Sequence, residues 1–561
     1  MKRKSVKLCS MILSTAFLAS VLSIASVKAE TIDSMPTGSF VDNKPINAPI
    51  IKTIDDYMAY ASESLPMAST YSTALPDSVD NSKSPFFPAI GHQGDLGSCV
   101  SWGQTYYQFT YEMNKSMGVI TTPENTFSPK WTFNFANGGD ETGSWDDDTY
   151  NLLKELGCVT LKTLPVDDDF LTWTPVEDVW KTALKYRLKS FQIFENIGRT
   201  NSQITSVDDS DLELYKTAIA NGEVLAVNSY IFSHQTSKLK TNPAVPENDK
   251  YAGEEVITHK TGFLGAHRMA IVGYNDNIWT DLNNNDKVEN GEMGAFKIAN
   301  SWGTEYGNDG FMWVAYDSLN EISCVSGAPK NDLRYRLFDD VTRIDVLPYN
   351  SDSSIYLKYT LNSCDRSQTK MYVTAEKSDG TIYTYEAGPK RKHTMYNSTY
   401  SYDGTTEAHD GTMVYALSNV VPNITSDTLN DYKWSVKFED TKADGKVFTV
   451  KNAEIVDENK KRIFKPSDTY SFVLDGNSKT VEFPEVKTTL IGDANNDGNI
   501  KINDATMVQM YIARWVNEAD IDLKASDSNQ DNKITIVDST HIQLYIAKLD
   551  GSANVGQLIT N

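Results

Sequence analysis

Three distant points of this 561-residue chain carry the residue types of nucleophilic acyl transfer: Gln93 and Cys99 in Gln93-Gly94-Asp95-Leu96-Gly97-Ser98-Cys99, then His267, then Asn300 in Asn300-Ser301-Trp302-Gly303. A thiolate that attacks a carbonyl needs an imidazole to take and return a proton, and a polar group to orient the imidazole. Cys99, His267 and Asn300 fill those roles in that order. Gln93 can aim an amide donor at the developing oxyanion, with the Cys99 backbone N–H as its partner. A lone cysteine is more often a small buried hydrophobe, but Gln, Gly, Ser and Cys in register, answered twice downstream, favour the nucleophile. His234 and His259 are rival bases, yet only His267 leads into an aliphatic run, Met269 to Val272. That run reads as a strand.

The elements that must position these groups follow from the spacing. Trp102, Tyr106, Phe109 and Met113 recur at steps of four, three and four after Cys99. They predict the buried face of a helix that opens at the cysteine, where the helix N-terminus favours a thiolate. Helix-like segments come first, and strand-like segments surround His267 and Asn300.

From about Leu75 to about Asp317 the chain resembles the papain-like family of cysteine peptidases. Asn300 to Phe311 is similar to the family's Asn-Ser-Trp-Gly strand and turn, where the tryptophan covers the His–Asn bond. Gly138-Gly139 resembles its glycine pair lining a peptide cleft. The family has a cysteine where Leu96 stands and an aromatic where Val100 stands. Leu96 therefore removes a disulfide partner, and Trp102 can fill the aromatic volume. The resemblance implies an α+β, two-lobed peptidase over 75–330 with Gly138 and Gly139 touching substrate. It also implies that 30–74 is either a short inhibitory propeptide or a plain extension.

Met1 to Ala29 joins Lys2, Arg3, Lys4 and Lys7 to an apolar run and Val27-Lys28-Ala29. This pattern predicts a signal peptide over 1–29 and a secreted chain. No other stretch approaches a membrane span. Cys158, Cys324 and Cys364 are too few for a disulfide framework. The net charge of −23 argues against nucleic acid and anionic membranes as partners. Over 331–486 short alternating segments such as Ile355 to Tyr359 and Trp434 to Phe438 are separated by Asp-Gly turns, which reads as a β-sandwich. A spacer is favoured over a binding module there, because no aromatic platform is visible.

The last region, 490–553, repeats itself at an offset of 34. Oxygen ligands at loop positions 1, 3, 5 and 12 with a carbonyl at 7 are what calcium requires. The first loop offers Asp493, Asn495, Asp497 and Asp504 with the Asn499 carbonyl; the second offers Asp527, Asn529, Asp531 and Asp538 with the Lys533 carbonyl. Each leads into one helix, expected over 505–515 and 539–549. This duplicated, all-α loop-helix resembles the type I dockerin domain, which docks onto cohesin modules of a scaffolding protein in polysaccharide-degrading cellulosomes. The resemblance implies that Ile502, Asn503, Ile536 and Val537 touch the cohesin. A third loop between His267 and Asn300 places Asp281, Asn283, Asn285 and Glu292 at the same four positions, as a further calcium site or a solvated acidic turn. Together these readings predict a multidomain, cohesin-tethered cysteine endopeptidase with calcium as its cofactor. The alternatives are another acyl transfer by the same residues, or a non-catalytic scaffold passenger that binds or inhibits proteases.

Overall fold

The computed structural model describes residues 35–40, 48–61, 74–198, 203–328, 334–351, 353–387, 399–466, 470–486 and 488–560. The signal-peptide expectation lies outside them, as does much of 30–74. Among the described residues no helix is long and apolar enough to cross a membrane.

The helix opened by the cysteine runs from Cys99 to Met117, but its stretch Trp102–Phe109 is π-helical. The amide of Thr110 reaches back five residues to the Thr105 carbonyl, so the aromatic face predicted with α-helical steps is unwound by part of a turn. Such widened turns cluster at functional sites. Helices Pro129–Ala136, Asp146–Glu155 and Glu177–Ala183 pack on one side of this helix and form the first lobe.

The second lobe is a ten-stranded mixed sheet. Its main path runs Ile50–Ile51, Leu188–Phe194, Asp339–Val346, Leu225–Tyr230, Ala266–Trp279, Met293–Ala299, Phe311–Ala315, Glu255–Lys260, His234–Lys238. Two edges differ from the sequence-based boundaries. Asp339–Val346 pairs between Leu188–Phe194 and Leu225–Tyr230, so the catalytic body extends past 330 and includes a central strand expected in the next domain. Ile50–Ile51 pairs in parallel with Ile193–Phe194, and helix Ile54–Ala61 buries Tyr57 and Ala61 completely. The Tyr57 hydroxyl donates to Glu223, whose carboxylate also receives Arg343. Residues 48–61 are therefore part of the body rather than a loose extension.

Ile355 to Val486 forms two antiparallel sheets, of six and four strands, packed face to face. Strict alternation in Thr369–Lys377 and Tyr432–Asp440 sends Met371, Val373, Ala375, Trp434, Val436 and Phe438 into the core, as a one-face-buried sheet requires. The module's core is continuous with that of the helical lobe through Trp131, Phe135, Trp173 and Trp180. Arg366 stacks on Trp173 at 4.0 Å and donates to the Leu171 carbonyl, and Lys181 pairs with Glu458 at 2.7 Å. Burying the aromatic surface of Trp173 and Trp180 contributes roughly 2–3 kcal/mol each, so the sandwich buttresses the lobe that carries Cys99.

The C-terminal unit has helices Ile502–Ile512 and Ile536–Ile546 around Ala505, Val508, Ile521 and Ile542. Both start three residues earlier than expected. The cause is double duty by the loop-ending carboxylates: Asp504 accepts the Lys501 amide at 2.8 Å and Asp538 the Thr535 amide at 2.9 Å. Each thereby caps its own helix. Thr488–Leu490 and Leu558–Thr560 pair to close the unit beyond residue 553.

Candidate functional site

Cys99 begins its helix at the junction of the lobes and is fully buried. His267 is the second residue of strand Ala266–Trp279 and is buried too. The neighbouring strand Met293–Ala299 pairs Ala299 with Ala270, so the chain leaving it brings Asn300 beside His267. His267 Nε2 and Asn300 Oδ1 are 2.6 Å apart, and Oδ1 also accepts the Ser301 amide at 2.7 Å. An amide oxygen only accepts, so Nε2 carries the proton and Nδ1 is left to act as the base. Nδ1 has no hydrogen-bond partner among the described residues. Trp302 lies over the imidazole with ring centroids 4.7 Å apart. Tyr107, on the cysteine helix, donates to the Asn300 carbonyl at 2.7 Å and ties the two halves together.

Gln93 is held in one orientation. Its backbone N–H donates to the Ser301 carbonyl at 2.8 Å, and the Ser301 hydroxyl donates to its Oε1 at 2.6 Å. That fixes Nε2 as the donating end, which meets the Leu96 carbonyl at 3.0 Å. Ser301 was not singled out by its chemistry in the sequence; its place inside the Asn-Ser-Trp-Gly run was the available signal. We expect Gln93→Ala to lower kcat by about 10²–10³-fold. A folded variant with unchanged kcat would put the donor elsewhere.

The rival histidines are committed to other partners. His234 Nε2 meets the Ser229 hydroxyl at 2.7 Å, and burial holds its pKa down to about 3. His259 Nδ1 is 3.0 Å from Thr258 Oγ1.

Residues 35–40 lie across the catalytic groups. The Pro36 carbonyl accepts from Gln93 Nε2 at 3.2 Å and from Trp302 Nε1 at 3.0 Å. Ser39 and Phe40 pair in parallel with Ser144 and Trp145, and the Ser144 amide donates to the Gly38 carbonyl at 2.9 Å. A Cβ on Gly38 would sit 1.8 Å from the Gly97 carbonyl oxygen, so only glycine passes there. Burial pushes the Cys99 thiol up to about 12, against backbone hydrogen bonds from Arg268 and Gly38, and lowers His267 to about 4. Burial in this covered arrangement thus favours the neutral form of both groups.

The backbone that meets Ser39 and Phe40 is Ser144-Trp145, preceded by Gly143 at φ +152°. Gly138 and Gly139 stand in the preceding turn, where the Gly139 amide is taken by Asn137 Oδ1 at 2.7 Å.

In the C-terminal unit Asp493 Oδ1 and Oδ2 accept the Asp497 and Gly498 amides, and Asp527 repeats this with Asp531 and Asn532. Asn495 and Asn529 each accept the amide two residues on. Burial, with the nearby charges of Asp504 and Asp497, raises the Asp493 pKa. Among the described residues no three His, Cys, Asp or Glu side chains form a metal-holding group by themselves. A cation held here would also need amide and main-chain oxygens of Asn495, Asn499, Asn529 and Lys533, donors that suit a hard ion. The Asp281 loop repeats the pattern: Asp281 accepts the Asn285 and Asp286 amides, Glu292 the Leu282 and Glu289 amides. Left-handed residues stand at positions 4 and 6 in all three loops, Asn284 and Asp286, Asn496 and Gly498, Gln530 and Asn532. The Asp281 loop is closed by an ion pair, with Lys240 Nζ 2.6 Å from Asp281.

Ile502, Ile536 and Val537 are more than two-fifths exposed and Asn503 is exposed with them. Trp515 and Leu549, one repeat apart, extend the apolar surface.

Residues 491–547 match the family described as Dockerin type I domain. Among solved structures the chain is similar to xylellain, a cysteine protease from Xylella fastidiosa, at 17% identity over 56% of this chain and 97% of that one, TM-score 0.35. It is similar to the bromelain protease from Ananas comosus at 14% identity over 48% and 99%, TM-score 0.31. A digestive procathepsin proteinase from Tenebrio molitor larval midgut is similar at 16% identity over 57% and 81%, TM-score 0.35. No curated protein matches the chain.

Proposed function

We propose that this chain is a secreted cysteine endopeptidase that hydrolyses peptide bonds through Cys99, His267 and Asn300 and is tethered by its C-terminal unit to a cohesin-bearing scaffold outside the cell. The observation that carries the reading is the His267 Nε2 to Asn300 Oδ1 bond of 2.6 Å, which leaves Nδ1 as the base at the lobe junction where Cys99 opens its helix. With a peptide in the cleft, His267 Nδ1 takes the thiol proton and Cys99 Sγ attacks the carbonyl carbon. Gln93 Nε2 and the Cys99 N–H hold the oxyanion. The imidazolium then protonates the leaving amine, and a thioester remains on Cys99. Water, deprotonated by the same Nδ1, releases the acid and restores the thiol. An iodoacetamide or epoxide probe should label the active form at Cys99 and lose that label in Cys99→Ala. Equal labelling of the mutant would sink the assignment.

Calcium would be held by Asp493, Asn495, Asp497, Asp504 and the Asn499 carbonyl, and by Asp527, Asn529, Asp531, Asp538 and the Lys533 carbonyl. Its charge would neutralise carboxylates that otherwise repel one another. Chelation should therefore unfold residues 490–560 and abolish cohesin binding through Ile502, Asn503, Ile536 and Val537. A calorimetric titration without calcium uptake would end this reading. The Asp281 loop is proposed as a third site, in which calcium displaces Lys240 from Asp281 and joins Asn283, Asn285 and Glu292. Because the catalytic body runs through Val346, the test needs the full chain: the peptidase melting transition should rise with calcium. A transition indifferent to calcium would leave the loop as a turn closed by Lys240.

A further inference from the structure

Arg268 is fully buried and follows His267 directly; its backbone amide donates to the Cys99 thiol, and its side chain takes no part in the chemistry above. Its stem crosses the cysteine helix at Gly103, where an added Cβ would come within 2.9 Å of Arg268 Cγ. Gly103 stands one turn beyond Cys99. The guanidinium emerges on the far side and donates to Asp146 Oδ2 at 3.1 Å, to the Asp340 carbonyl at 3.0 Å, and to Thr342 Oγ1. Asp146 opens helix Asp146–Glu155 immediately after Trp145, the residue that pairs with the segment in the cleft, and it also accepts from Asn228 of strand Leu225–Tyr230. One side chain thus spans from the histidine strand, under the cysteine helix, to the cleft edge of the other lobe.

We infer that Arg268 and Asp146 are a positioning pair for the reaction centre, setting the separation of Cys99 from His267 and of both from the Ser144–Trp145 edge. The inference rests on the peptidase reading above. A rigid strut is needed because Cys99 and His267 belong to different lobes, and among the described residues no hydrogen bond joins His267 Nδ1 to the thiol. Arginine suits the task, since its planar fork holds several acceptors at fixed angles while a lysine is a point charge. Misplacing reacting groups by about 1 Å costs on the order of 10²-fold in rate.

Arg268→Met should lower kcat by about 10²-fold with a smaller rise in KM, because the pair holds the reacting groups as well as the Ser144–Trp145 edge. That single variant leaves Asp146 buried and unpaired, so Arg268→Met with Asp146→Asn, which removes both charges, is measured beside it. Arg343→Met is the control, since Arg343 is equally buried and paired with Glu223 and Asp345 in the same sheet but shares no carboxylate with Arg268. A purely structural role would make the variants alike, each lowering Tm and leaving kcat of the folded fraction intact. A double variant that is folded and has wild-type kcat would overturn the inference while Cys99→Ala remains inactive. An active-form preparation that neither cleaves peptides nor reacts at Cys99 faster than an ordinary thiol would overturn the peptidase reading, and this inference with it.

Discussion

His267→Ala should lower kcat/KM on a peptide substrate by about 10⁴–10⁶-fold, with binding of uncleaved peptide preserved. The imidazole is both the acceptor of the thiol proton and the donor to the leaving amine, so its loss removes two steps. Asn300→Ala should cost less. Its oxygen fixes the imidazole through the 2.6 Å bond to Nε2 but moves no proton. The pair His267→Ala, Asn300→Ala should be no slower than His267→Ala alone, because an orienting group has nothing left to orient. Additive losses would mean that Asn300 acts on substrate directly. His234→Ala and His259→Ala supply the comparison: with partners in Ser229 and Thr258, neither should alter kcat beyond its effect on folding.

The candidate catalytic groups could be picked out in the sequence because each stands inside a local motif whose spacing is dictated by backbone geometry. Cys99 had a helix face behind it, and His267 an aliphatic strand. The candidate calcium loops could be picked out for the same reason, since their ligand order is a property of one tight turn. What was not legible depends on chain segments far apart in sequence. Asp339–Val346 looks like any alternating strand, and only its pairing with Leu188–Phe194 and Leu225–Tyr230 makes it part of the catalytic sheet. Trp173 and Trp180 carry no mark that their partners would be Arg366 and the sandwich core. Nothing in the sequence marked Ser144 and Trp145 as the partners of Ser39 and Phe40, about a hundred residues away. Arg268 was hidden for a similar reason, since burial of a cation is invisible until Asp146 is brought to it.

Removing the chain through Phe40 should raise the alkylation rate of Cys99 at pH 7 by roughly 10³-fold. The covered thiol sits at about 12, chiefly because it is buried. Exposure returns it toward the ordinary cysteine value near 8.5, about three units lower, and the thiolate fraction at pH 7 rises in proportion. His267, held to about 4 by the same burial, gains the ability to be protonated and to pair with the thiolate. The segment is also poorly placed to be cut where it lies, because the group it turns to the sulfur is the Gly38 amide, a donor, while its Pro36 carbonyl is shared between Gln93 and Trp302. Release should not extend to Leu75, the boundary that the resemblance implies. Ile51, Tyr57 and Ala61 are fully buried, and Tyr57 belongs to the Glu223–Arg343 cluster. The mature N-terminus is therefore expected between residues 41 and 47, and deletion through Ala61 should lower Tm where deletion through Phe40 does not. Mass spectrometry of the wild-type chain and of Cys99→Ala would give the N-termini directly. An active chain that begins near Leu75 with an unchanged Tm would remove residues 48–61 from the catalytic body's stability, and an alkylation rate indifferent to residues 35–40 would remove their role as a cover.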